Sequence, residues 1–123
     1  MKLLSIFIIL NAFAYFQASY FSGWTAPAAA TTIQNPIRDK PELANGGKKV
    51  FEKLCASCHM SGTGQKGLNL ADQAVRQESD GALFWKISTG NTRSGMPAYG
   101  SLPDKQRWQL VLYIRSLNQL PQN

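Results

Sequence analysis

Cys55-Ala56-Ser57-Cys58-His59 sets two thiols three residues apart, with an imidazole directly behind the second. The pattern C-x-x-C-H is an attachment site for a c-type haem. On one helical turn residues 55 and 58 share a face, within reach of the two vinyl groups of one porphyrin. His59 then brings its imidazole under the iron as the proximal ligand. Three other readings compete for the same residues. A redox dithiol prefers a βαβ context with its cysteines at a helix start, whereas the stretch before Cys55 reads as helix, so these cysteines close one. A structural zinc site needs four ligands, and the chain holds two cysteines and one histidine. A disulfide between positions 55 and 58 would close a tiny loop and add little stability. Haem attachment is the reading that uses all three side chains.

Outward from the motif, 123 residues allow one small domain, and the N-terminal part does not read as belonging to it. Met1-Lys2 precedes an apolar run from Leu3 to Phe21 without amphipathic period, so residues 1–21 read as a signal peptide or a membrane anchor. Asn11 is costly at the centre of a bilayer, and Ala12-Phe13-Ala14 and Ala28-Ala29-Ala30 offer small-residue cleavage sites. The balance favours cleavage, and either outcome places the domain in the periplasm or otherwise outside the cytoplasm. Residues 22–40, rich in Ala, Thr and Pro (Pro27, Pro36), read as a flexible linker. Residues 41–120 remain as the folded domain, small enough to need a staple, which a covalent haem supplies. The net charge of +6 includes a cluster at Lys48, Lys49 and Lys53, readable equally as a solvated face or as a docking patch for a redox partner protein. No motif supports nucleic-acid binding.

Three helices are expected and no strand, an all-α fold. The first spans about 43–54, with Val50, Phe51 and Leu54 as its apolar stripe and Gly47 on the same face. Ser79 and Asp80 suit the start of a second, which carries Leu83, Phe84 and Ile87 and stops at Gly90. Pro103 and Asp104 open a third, running to Leu117 with apolar positions on more than one face. Glycine-rich loops separate them.

The iron needs a ligand on its other face or an empty position there. His59 is the only histidine, so a bis-histidine haem is impossible within this chain; a methionine thioether, which raises the reduction potential, is the usual alternative. Met1 lies in the leader, and Met60 is chained to the proximal side by its neighbour His59. Met96, between Gly95 and Pro97, sits in a remote loop where glycine permits close backbone approach and proline stiffens the turn. Met96 is therefore the candidate distal ligand.

With these residues in view, the chain resembles class I (mitochondrial-type) cytochrome c in a short, exported bacterial form. The resemblance rests on Gly47-x-x-x-Phe51-x-x-x-Cys55-x-x-Cys58-His59, on Gly95-Met96-Pro97-Ala98-Tyr99, and on Trp108 through Leu117. Phe84-Trp85-Lys86-Ile87-Ser88-Thr89-Gly90 is similar to the middle helix of short members. The resemblance implies a cytochrome c fold of three to four helices around one covalently attached haem. Its N- and C-terminal helices would cross, with Gly47 and Phe51 meeting Leu110 and Tyr113. It implies one-electron transfer with His59 and Met96 as iron ligands, by a carrier or an electron-accepting subunit in an exported respiratory or dehydrogenase chain, and no catalysis on a substrate. The rival function is a peroxidase-like haem enzyme or gas-binding sensor with a labile distal ligand. One departure stands out: no proline lies between Cys58 and Met96, so a backbone carbonyl in Gly67-Leu68-Asn69-Leu70 is the expected acceptor for the His59 Nδ1–H. Trp85, Lys86 and Arg93 are weaker candidates for haem propionate contacts.

Overall fold

The computed structural model describes residues 24–59 and 69–117. In chain order these form α1 (Ala28–Thr31), a 3-10 turn (Pro41–Leu43), α2 (Ala44–Leu54), α3 (Gln73–Arg76), α4 (Asp80–Thr89), a second 3-10 turn (Thr92–Ser94) and α5 (Asp104–Leu117). Among the described residues no strand is present, only an isolated antiparallel bridge between Asn91 and Met96. The expectation of three to four helices is exceeded because α1 and α3 are single turns of four residues, too short to leave a periodic signature. The caps read from sequence do form. The Ser79 hydroxyl accepts from the Ala82 N–H at 3.1 Å, and Gly90 ends α4 at φ +64°, a conformation that favours glycine.

The pairing of α2 with α5 organises the molecule. A Cβ on Gly47 would fall inside the Gln109 carbonyl and 2.9 Å from the Leu110 nitrogen, so the two backbones touch at this point. One turn on, the Phe51 and Tyr113 rings meet with centroids 5.0 Å apart and planes tilted by 58°. Both expected contacts of the crossing are present. Phe51, Val75, Leu83, Ile87, Trp108, Leu110, Val111 and Ile114 close into one core. The second apolar face of α5 is taken by α4, where Phe84 stacks on Trp108 at 4.0 Å. Arg115 clasps the turn between α3 and α4: its Nε donates to Asp80 Oδ1 at 2.8 Å, and its terminal nitrogens donate to the carbonyls of Val75, Arg76 and Glu78.

The linker expectation needs correction. Residues 24–40 form a strap packed on α4 and α5, not a flexible tether. Ala26 and Ala30 are buried against Ala82 and Trp85. A Cβ on Gly81 would overlap the Ala30 carbonyl and lie 2.6 Å from the Ile33 carbonyl oxygen, so the strap backbone rests directly on α4. Small residues on both sides make this approach feasible; the composition that reads as flexible is here what permits dense packing. Asn35 anchors the strap's far end. It is 1% exposed, its Nδ2 donates to the Trp108 carbonyl at 3.2 Å, and its Oδ1 accepts from the Ile37 N–H at 3.0 Å.

Asn35→Ala would leave the Ile37 N–H without its acceptor and remove a second donor from the helical Trp108 carbonyl at the buried seat of the strap. It is expected to lower the unfolding free energy of the haem-loaded protein by about 1–3 kcal/mol. Urea denaturation should show a lower midpoint with an unchanged slope.

Candidate functional site

The C-x-x-C-H stretch continues the path of α2 for one further turn. The N–H groups of Cys55 and Ala56 both donate to the Phe51 carbonyl, at 2.8 and 2.9 Å, and those of Cys58 and His59 both donate to the Cys55 carbonyl, at 3.1 and 2.9 Å. This turn fixes the spacing of the two sulfurs and sends His59 off the end of the helix. Cys55, Cys58 and His59 are all half-buried, and Cys55 packs on the rim of the core. Burial first, and then the neighbouring Cys58, push the Cys55 thiol up to about 11. A dithiol redox pair needs a lowered thiol pKa and a helix N-terminus; here the Cys55 thiol is raised and the pair follows a helix C-terminus.

Met96 lies at the other end of a small, closed loop. Asn91 and Met96 exchange both backbone hydrogen bonds, each at 2.9 Å, across a 3-10 turn that ends in Gly95 at φ +82°. No protein atom lies within 4 Å of a Cβ built on Gly95. Glycine also suits the left-handed backbone at this position. The loop's return path is tied as well. A Cβ on Gly90 would meet the Pro97 carbonyl carbon at 2.5 Å and the Ala98 nitrogen at 2.6 Å. The Tyr99 N–H donates to the Ile87 carbonyl at 3.0 Å. From α5, Arg107 Nε donates to the Leu102 carbonyl at 3.0 Å, and the same guanidinium binds the Ser88 hydroxyl and Asp104.

Tyr99 joins the two halves of the site, a role that sequence reasoning did not assign. Its hydroxyl donates to the Leu54 carbonyl at 3.0 Å, the last residue of α2 before Cys55. Burial, then Cys55, then Cys58 raise its pKa. No sequence signal marks Tyr99 for this role, because its partner is a backbone carbonyl. Met96 and the thiol turn are thus held to one framework through Tyr99.

The other sequence candidates fall as follows. Lys86 is paired with Glu78 and stands 5.0 Å over the Trp24 ring, and Trp85 packs against the strap. Both are engaged in the protein's own packing. Arg93 is exposed in the 3-10 turn before Met96. Met60, Gly67 and Leu68 lie outside the described residues. In the described part of the stretch expected to receive the His59 Nδ1–H, the Asn69 carbonyl accepts from the Asp72 N–H at 3.0 Å. Lys48, Lys49 and Lys53 are exposed along α2.

The donor set fits a covalently attached haem: two half-buried thiols one turn apart, an imidazole at the next residue, and a thioether on a tied-down loop. Among the described residues no group of three or more His, Cys, Asp or Glu side chains could hold a bare metal ion. A porphyrin supplies four ligands itself and asks the protein for only two.

Comparison with known proteins agrees. The family described as cytochrome c oxidase, cbb3-type, subunit III matches residues 42–114. The chain is 35% identical over 79 residues to cytochrome c6 of Parathermosynechococcus lividus, covering 59% of this chain and 87% of that protein. It is 32% identical over 82 residues to cytochrome c6 of Synechococcus elongatus, with the same coverage. It is also 32% identical over 96 residues to the quinohemoprotein alcohol dehydrogenase ADH IIB of Pseudomonas putida, covering 74% of this chain but only 14% of the dehydrogenase. From the helix pair, the thiol turn and these similarities together, this chain belongs to the cytochrome c family as a short class I member, whose single covalent haem transfers electrons.

Proposed function

We propose that thioethers to Cys55 and Cys58 hold the haem, that His59 and Met96 are its axial ligands, and that the protein is a one-electron carrier and not an enzyme. The observation that supports this most is the closure of the Met96 loop. Its base is bridged at Asn91, its return is pinned by Tyr99 to the Leu54 carbonyl, and so the thioether is held in place before and after electron transfer. The bound haem supplies the redox chemistry, its iron alternating between ferrous and ferric. The chain's residues insulate that group, set its potential through ligand identity, and present a docking surface. A peroxidase-like or gas-binding reading requires an open position with an acid or base beside it; the sole histidine is committed to the attachment motif.

Residues 41–120 with the strap form the cytochrome unit in this reading, and residues 1–21 direct export to the periplasm or its equivalent. Among the described residues no helix is long and apolar enough to cross a membrane; a membrane tether would rest on the leader. The similarity to part of a quinohemoprotein alcohol dehydrogenase supports a dehydrogenase as the electron donor, with exposed Lys48, Lys49 and Lys53 facing an acidic partner surface.

A potentiometric titration of the haem-loaded protein should give a single reversible one-electron transition, and the ferrous form should not take up carbon monoxide. Carbon monoxide binding by the wild-type protein, or turnover of peroxide, would overturn the carrier reading.

A further inference from the structure

We infer that Trp24 is a positioning residue for the Met96 loop, clamping its base from a strap that lies outside the stretch matched to the family. This rests on the proposed ligation by Met96. The Trp24 indole Nε1–H donates to the Gly90 carbonyl at 2.9 Å, across 66 residues of sequence. Gly90 is the residue on which the loop closes. It ends α4, its α-carbon is packed against Pro97 and Ala98, and the next residue, Asn91, exchanges two hydrogen bonds with Met96. The indole therefore holds the peptide between Gly90 and Asn91, one residue from the Asn91–Met96 bridge.

The indole is itself fixed from two sides. Lys86, anchored by Glu78, stands over its ring at 5.0 Å. The strap behind it is seated by Ala26 and Ala30 on α4 and by Asn35 on the Trp108 carbonyl. The family match begins at position 42, so Trp24 lies outside the matched stretch. The Met96 loop would open by swinging about Gly90, and the Trp24 hydrogen bond opposes that motion. Loss of one such bond shifts an opening equilibrium by about fivefold.

The test uses haem-loaded wild type, Trp24→Phe, which keeps a ring for packing but removes the N–H, and an Asp80→Asn control at the Arg115 clasp. Imidazole serves as an added ligand that competes with the thioether when the loop opens. In Trp24→Phe, imidazole should displace the native ligand at about fivefold lower concentration. The amides of Asn91 and Met96 should exchange with solvent about fivefold faster while that of buried Val111 does not change. Asp80→Asn should leave both loop readouts at wild-type values. Unchanged loop exchange in Trp24→Phe, or acceleration shared equally by Val111, would overturn the clamp.

If wild type lacks the spectroscopic signature of thioether ligation, the ligand assignment fails, while the exchange data still decide the clamp. Should Trp24→Phe not accumulate, wild-type native-state exchange decides the matter. The Trp24 indole proton and the Asn91 and Met96 amides should share one denaturant dependence, and separate openings would contradict the clamp.

Discussion

Gly47→Ala should severely destabilise the protein, while Gly46→Ala, one residue earlier, should be nearly neutral. At position 47 the added methyl lands on backbone, inside the Gln109 carbonyl and 2.9 Å from the Leu110 nitrogen. Backbone in the middle of α5 cannot step aside without moving the helix. Separating α2 from α5 then loosens the Phe51–Tyr113 contact and opens space beside Leu110 and Val111, which are fully buried. Overpacking costs about 1–3 kcal/mol and lost core contacts about 2–5 kcal/mol more, against a total stability of about 5–15 kcal/mol. At position 46 the added methyl meets only the amide end of the Gln109 side chain, 2.6 Å from its Nε2. That end can rotate away, and alanine gains up to about 1 kcal/mol of helix propensity. Urea unfolding of the two variants side by side measures the difference. Equal midpoints would mean that the two helices do not touch at Gly47.

Met96→Ala should lower the midpoint potential by on the order of 0.1 V or more, because a thioether ligand favours ferrous iron and axial ligands span about 0.8 V across haem proteins. The same variant should gain carbon monoxide binding in the ferrous form. The fold should survive, since what shapes the loop is backbone and neighbouring side chains: the bridge at Asn91, the Gly90–Pro97 contact and the Tyr99 hydroxyl on Leu54. Helical circular dichroism should therefore match wild type while the potential moves. An unchanged potential would remove Met96 from the iron.

Much of this was legible in the sequence, and the reasons are local. The thiol turn follows from spacing alone, because C-x-x-C-H is an i, i+3 pattern at a helix end. Ser79, Gly90 and Pro103 mark helix boundaries through capping chemistry that needs no tertiary context. The meeting of Gly47 with α5 was carried by family resemblance and not by periodicity. The strap was misread because Ala, Thr and Pro carry no apolar period. Its burial depends on Gly81 and Ala82, some fifty residues away, leaving room for it. Tyr99 and Trp24 were illegible as site residues for the same reason: each bonds a backbone carbonyl, at Leu54 and Gly90, and a carbonyl has no sequence signature. The left-handed φ of Gly95 was likewise not readable from its flanking residues.

The most direct test of the central claim is the far-red absorption of the ferric, haem-loaded protein, read in wild type, Met60→Ala and Met96→Ala. Ligation by His59 and Met96 predicts a weak charge-transfer band in wild type and in Met60→Ala, and its loss in Met96→Ala. A band that survives in Met96→Ala, or that is absent from wild type, would contradict it.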